Sequence, residues 1–173
     1  IPPAELKAIG RVAQTRNLVL ISDEIYHRLT YGTVEEATAL AASPDAIVVN
    51  SFSKYYSMTG WRIGWMVVPE PMVRTIERLA QNLFISVPTL SQLAAIHAFD
   101  AADELDRNLD VYRANRALLL DGLPQAGFDR LAPSDGAFYI YADVSGLTDD
   151  SEALCQRLLM EADIAVTPGT DFD

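Results

Sequence analysis

Two short polar clusters hold the residues of this chain that could do chemistry. The first is Ser22-Asp23-Glu24-Ile25-Tyr26 and the second is Ser51-Phe52-Ser53-Lys54, followed by Gly60, Arg62 and Gly64. They supply a carboxylate, a phenol, hydroxyls, one amine and one guanidinium. Each cluster lies just beyond an apolar run, Leu18-Val19-Leu20-Ile21 or Ala46-Ile47-Val48-Val49. Runs of this kind suit parallel strands covered on both faces, and ligands of open α/β sheets bind beyond the carboxyl ends of such strands. The two clusters are therefore expected to face one site. The residue types alone identify no reaction.

The elements that must position them follow from periodicity. Pro2-Pro3 opens a helical pattern with Leu6, Ile9, Val12 and Ala13 on one face; proline suits a helix start because its missing N–H has no intrahelical partner there. The segment between the two apolar runs is long enough for a parallel crossover. A third run, Trp65-Met66-Val67-Val68, ends at Pro69. Helical patterns follow at Ile76, Leu79, Ala80 and Leu83, at Leu93, Ala94, Ile96 and His97, and at Leu105, Leu109, Tyr112 and Leu119. Phe138-Tyr139-Ile140-Tyr141 reads as a strand, Leu154, Leu158 and Ala162 as a helix, and Ile164-Ala165-Val166 as a last strand. The change from strand-rich to helix-rich near Ala101 places a domain boundary there.

Bulk properties narrow the function class. With 13 basic against 24 acidic residues and a net charge of −11, nucleic acid and anionic membrane are not expected as partners. No apolar run is long enough to span a bilayer. Cys155 is the single cysteine, so no intrachain disulfide is possible, which fits a reducing, cytoplasmic setting. His27 and His97 are the only histidines and lack ligand spacing, so no metal site is expected. Neither G-x-G-x-x-G nor the Walker lysine motif occurs. Ser51-Phe52-Ser53-Lys54 satisfies the S-x-x-K pattern of penicillin-recognising acyl-transfer enzymes, but the S-D-N and K-T-G partners that chemistry needs are absent downstream.

Taken together, Ser51-Phe52-Ser53-Lys54 with Gly60-Trp61-Arg62-Ile63-Gly64 resembles the lysine motif of class I/II aminotransferases. Asp23-Glu24-Ile25-Tyr26, with Asp23 31 residues before Lys54, resembles the cofactor-ring motif of the same family, and Thr167-Pro168-Gly169 also agrees. Two motifs in the right order and spacing are a specific signal. The resemblance is to fold-type-I, pyridoxal-phosphate-dependent enzymes, and Met58-Thr59-Gly60-Trp61-Arg62 is closest to aspartate and broad-specificity aminotransferases. It implies an α/β fold: the later part of a mostly parallel-sheet, cofactor-binding large domain over residues 1–101, then a linker helix and an incomplete smaller α+β domain over residues 102–173.

The resemblance also implies roles. Lys54 would form the Schiff base with pyridoxal 5′-phosphate and, once displaced, carry a proton as a neutral amine. Asp23 would pair with the pyridine nitrogen and keep it protonated, and Tyr26 would donate to the phenolic oxygen. Arg62 would grip the phosphate with its forked donors, helped by the hydroxyls of Ser51 and Ser53, with Gly60 and Gly64 turning the backbone around it. A surface lysine, a capping aspartate, a packed tyrosine and an ordinary arginine salt bridge are the plainer readings of the same residues. Amino acid and 2-oxo acid substrates are implied, as is a homodimer in which Phe84–Ser91 approaches the neighbouring subunit's site; Trp61, Trp65, Tyr55 and Tyr56 are read as packing or dimer contacts. The family's phosphate-binding glycine loop, ring-stacking aromatic, asparagine and carboxylate-binding arginine have no counterpart in these residues. The chain alone is therefore expected to hold cofactor poorly and to turn over nothing measurable. A lyase or synthase of the same fold, or the sensor half of a transcription regulator, would share the cofactor residues.

Overall fold

The computed structural model describes residues 1–172. The described residues divide into two compact units, one of residues 1–114 with 135–138 and one of residues 115–134 with those from 139 onward. Both motif clusters belong to the first.

In the first unit, helix α1 (Pro3–Thr15) starts with proline in its first turn and buries Leu6, Gly10 and Ala13. This is an i, i+4, i+7 face, rotated from the expected one, and it leaves Ile9 and Val12 exposed. Gly10 sets the rotation: a Cβ there would lie 2.8 Å from the Ala42 carbonyl oxygen, so only glycine lets the short helix α2 (Ala39–Ala42) come this close.

Strands β1 (Ile21–Asp23) and β2 (Ile47–Ser51) pair in parallel, with Ile21 opposite Ile47 and Asp23 opposite Val49. The expected run Leu18–Ile21 enters the ladder only at its end: Ile47 N–H donates to the Leu20 carbonyl at 2.9 Å, while Leu18, Val19 and Ile21 stay exposed. The third run forms β3 (Gly64–Val67), which pairs antiparallel to β2, Ser51 opposite Gly64 and Val48 opposite Val67. The described sheet thus has the order β1-β2-β3 with one parallel and one antiparallel pair. The loop of residues 52–63 is short enough for a direct return, whereas the β1-to-β2 connection carries α2.

Helices α3 (Glu70–Leu83) and α4 (Thr89–Ala98) form where expected, but the expected faces are not the buried ones: α4 buries Ser91 and Ala95 and leaves Leu93 and Ile96 exposed, and Leu79 and Leu83 of α3 are exposed. Helix α5 (Ala102–Gln125) runs through Ala114 in the first unit and continues in the second. Three buried clusters fill the first unit: Leu6 with Ala39, Ala46 and Val48; Phe52 with Met58 and Ala95; and Leu29 with Tyr31, Tyr55, Leu105 and Leu109.

Residues 135–138 lie against 29–31. Tyr31 N–H donates to the Asp135 carbonyl at 3.0 Å, Ala137 N–H donates to the Leu29 carbonyl at 2.8 Å, and the Tyr31 hydroxyl donates to the Ala137 carbonyl at 2.5 Å. The strand expected over Phe138–Tyr141 does not form. Ala137 takes a left-handed backbone conformation, φ 59°, and isolated bridges flank the segment in place of a ladder, Thr30 with Gly136 before it and Leu131 with Ala142 after it.

The second unit contains the end of α5 and helix α6 (Ser151–Ala162), capped by the Asp150 carboxylate at Ala153 N–H, 3.0 Å. Ile164–Val166 is not a strand either. Asp163 is left-handed, φ 57°, and Ile164 N–H closes the helix end on the Leu158 carbonyl at 3.1 Å, a C-terminal cap that uses the amide a ladder would need.

Candidate functional site

Parallel pairing puts Asp23, the last residue of β1, and Ser51, the last of β2, at the same end of the sheet. Glu24 N–H continues the ladder to the Val49 carbonyl at 2.8 Å, and a turn closes from Glu24 to His27 through His27 N–H on the Glu24 carbonyl, 3.0 Å. Asp23 Oδ1 accepts from Ile25 N–H at 3.2 Å, which fixes the carboxylate over its own turn. Among the described residues no cation pairs with it.

Glu24 anchors this turn from below. Its carboxylate, 7% exposed, accepts from Ala39 N–H at 2.7 Å and from the Thr38 hydroxyl at 3.2 Å, and its other oxygen lies 3.2 Å from His27 Nε2. A buried carboxylate needs such partners to offset desolvation. Sequence alone assigns Glu24 no task, because a carboxylate followed fifteen residues later by a helix start leaves no local signature.

The loop after β2 carries Lys54. Phe52 N–H donates to the Ile63 carbonyl at 3.2 Å, Met58 N–H to the Phe52 carbonyl at 3.0 Å, and Ser57 N–H to the Lys54 carbonyl at 3.0 Å. Phe52 and Met58 are buried, so the loop is pinned from both sides. Lys54 is half-buried. Its Nζ lies 5.2 Å from the centre of the Tyr26 ring and 5.1 Å from that of Phe138, both within cation–π range, and among the described residues no carboxylate pairs with it. Tyr26 and Phe138 meet edge to face at 5.6 Å. The structure thus brings Tyr26 to Lys54, as their places beyond the ends of parallel strands lead one to expect, and adds Phe138, from the segment expected to be a strand. The turn-rich Pro133-Ser134-Asp135-Gly136 before it was the available sign that Phe138 ends a loop.

The serines and the arginine are linked through the same loop. Ser51 Oγ accepts from Ser53 N–H at 3.0 Å, the Ser53 carbonyl accepts from the Thr59 hydroxyl at 2.7 Å, and the Thr59 carbonyl accepts from Arg62 Nη1 at 2.8 Å. Arg62 itself is left-handed, φ 52°, and exposed. The glycines do not share the role expected of them. Gly60 has open space where a Cβ would stand, whereas a Cβ on Gly64 would lie 2.6 Å from the Asn50 carbonyl oxygen. The tight backbone position is thus Arg62, and Gly64 serves the close approach of β3 to β2.

A cavity of about 270 Å³ opens beside β1, lined by Asp23, Tyr26, Glu24, His27, Asp135 and Gly136 among others. Lys54, Ser51, Ser53 and Arg62 are outside its lining.

The family model described as aminotransferase class I and II matches residues 1–173. A valine–pyruvate aminotransferase of Mycobacterium tuberculosis is 53% identical over 176 residues, covering 100% of this chain and 45% of that protein. An aspartate/prephenate aminotransferase of Thermus thermophilus is 34% identical, covering 99% and 45%. Among solved structures, an aminotransferase from Mycobacterium tuberculosis superposes with a TM-score of 0.96 at 52% identity, covering 100% of this chain and 46% of that one. The aspartate aminotransferase from Thermus thermophilus with maleate gives 0.88 at 34% identity, covering 99% and 45%. The chain spans about 45% of the length of the curated relatives it matches.

Proposed function

Because the chain belongs to the class I and II aminotransferase family, we propose that it is part of a pyridoxal-phosphate-dependent enzyme that moves an amino group between an L-amino acid and a 2-oxo acid. The observation that carries this reading is the placement of the Lys54 amine, half-buried over the Tyr26 and Phe138 rings, on a loop leaving the same sheet end as Asp23. An amine without a carboxylate partner is available as a nucleophile and base in a way that a salt-bridged surface lysine is not.

The donor set fits the cofactor. Lys54 would be its covalent attachment point, and Asp23, free of any cation among the described residues, would hold the protonated ring nitrogen. Tyr26 would donate its phenol to the ring oxygen. Arg62 and the Ser51 and Ser53 hydroxyls would hold the phosphate, where a guanidinium offers two parallel donors. When bound, the cofactor supplies an electron sink for the pair left on the substrate α-carbon. Asp23 keeps that sink charged, Tyr26 orients the ring, and the Lys54 amine accepts and returns the α-proton.

Residues 1–101 are read as the later part of the cofactor-binding domain and residues 102–173 as the linker helix and part of the smaller domain. A homodimer and a cytoplasmic setting complete the reading; among the described residues no helix is long and apolar enough to cross a membrane. The 53% identical relative is a valine–pyruvate aminotransferase, so branched aliphatic amino acids with pyruvate head the substrate panel. The test is to incubate the intact protein with pyridoxal phosphate, amino acids and either pyruvate or 2-oxoglutarate. Alanine or glutamate should form in step with loss of the donor. Consumption of the donor without either product would point to a lyase and overturn transamination.

A further inference from the structure

We propose that Phe138 is a positioning residue for Lys54, holding the amine in place and stabilising the ammonium that forms as it takes a proton; this rests on the aminotransferase reading above. The ring reaches Lys54 because residues 135–138 are tied to 29–31 by the three hydrogen bonds from Tyr31 and Ala137. The left-handed turn at Ala137 then directs Phe138 toward the loop. Tyr112 of α5 stacks on the ring from another side, centroids 5.5 Å apart and planes 26° from parallel, and Tyr26 meets it edge to face at 5.6 Å. Two aromatic neighbours leave the ring little freedom to turn away.

The chemistry gives the arrangement a direction. When Lys54 accepts the α-proton of a bound amino acid, the C–H bond breaks, an N–H bond forms at Nζ, and the C–H electron pair stays with the substrate. The amine thereby acquires a positive charge it did not have. The electron-rich face of an aromatic ring attracts a cation more strongly than a neutral amine. Phe138, 5.1 Å from Nζ, therefore favours the transition state over the ground state, which raises kcat and leaves KM alone. Tyr26, at 5.2 Å, acts in the same sense, but its phenol has a second task at the cofactor. Phe138 has none and isolates the effect.

The experiment uses the intact protein and the variants Phe138→Leu, which keeps an apolar side chain without the π face, and Phe138→Tyr, which restores the face. In the first arm the cofactor-free protein is labelled with 13C-lysine, and the Lys54 ε-methylene resonance is assigned by its disappearance in Lys54→Ala. It should be shifted upfield by ring currents in wild type and Phe138→Tyr, and this shift should shrink in Phe138→Leu. In the second arm, Phe138→Leu should lower kcat about two- to fivefold, the worth of one cation–π contact at an exposed position, with KM unchanged and Phe138→Tyr near wild type. An unshifted wild-type resonance, or an unchanged kcat in Phe138→Leu, overturns the inference. A protein that transaminates normally but fails these tests refutes the role of Phe138 alone, whereas one that binds no cofactor refutes the reading beneath it.

Discussion

A guanidinium and an ammonium carry the same charge, so Arg62 is the residue at which geometry can be separated from electrostatics. Its side chain is held by the Thr59 carbonyl, and its backbone is left-handed, a conformation equally unfavourable for lysine. Arg62→Lys should therefore leave the melting temperature of the cofactor-free protein nearly unchanged. It should weaken pyridoxal phosphate retention by roughly tenfold, because one of two charge-assisted hydrogen bonds is lost; equilibrium dialysis against the cofactor measures it, and equal retention would remove Arg62 from the phosphate site. At this scale the sequence singles out candidates where chemistry dictates residue type. An amine, a carboxylate, a phenol and a guanidinium at fixed spacing stood out as Lys54, Asp23, Tyr26 and Arg62. Phe138 did not, because an aromatic ring is a common core residue and its contact with Lys54 spans 84 positions that no local pattern encodes.

Strands and turns decide whether those side chains meet. Antiparallel pairing of β3 sets Gly64 opposite Ser51 and so fixes where Arg62, two residues earlier, leaves the sheet. A Cβ at Gly64 would lie 2.6 Å from a backbone oxygen, a contact relieved only by moving one strand. Gly64→Ala should cost about 1–3 kcal/mol of stability, seen as a lower urea midpoint, while Gly60→Ala, with open space around it, should cost far less. Equal losses at the two positions would contradict this account of the loop. Glu24→Ala should cost about 1–3 kcal/mol, since it strips Ala39 N–H and His27 of a buried acceptor; unchanged urea unfolding would contradict it. Helices with strong periodicity were legible, as were both parallel strands. The direction of β3 is not, since a short apolar run reads the same for a parallel and an antiparallel strand, and the run does not show that its residues stay exposed. Phe138–Tyr141 and Ile164–Val166 are not strands although their residues are β-prone, because such residues form strands only where a neighbour offers a ladder; the Ala137 amide just before the first run bonds to the Leu29 carbonyl, and the Ile164 amide bonds to the end of α6.

Across the molecule, the loop bearing Lys54 is tied to α5 through the next residue. The Tyr55 hydroxyl donates to Asp106 at 2.8 Å, and the Arg28 guanidinium lies over its ring at 4.4 Å. Burial first, and then the Asp106 hydrogen bond, push the Tyr55 phenol above its ordinary value, with Arg28 acting in the opposite direction. Because the folded state prefers the neutral phenol, this contribution to stability is full below the ordinary phenol range and is lost as pH rises through the raised value. Melting temperature should therefore fall more steeply above about pH 10 in wild type than in Tyr55→Phe; parallel curves would show that the ionisation does not couple to folding. Ile85, left-handed at φ 68° and 83% exposed, lies between exposed Phe84 and Leu90. A β-branched side chain in that conformation is strained, and light scattering of the intact protein, which should give a dimer mass, tests the proposed homodimer. The residue types of the candidate site stand out in the sequence because reaction chemistry restricts types more tightly than packing does, whereas a contact such as that of Phe138 with Lys54 does not.

The central claim is that the Lys54 amine, and no other, condenses with the cofactor. Borohydride reduction of the intact protein with pyridoxal phosphate, followed by peptide mass spectrometry, tests it directly. The account predicts one pyridoxyl adduct on the peptide carrying Lys54, with both that adduct and the visible absorbance band lost in Lys54→Ala. A stoichiometric adduct on Lys7, the other lysine of this chain, or a band that survives Lys54→Ala, would contradict it.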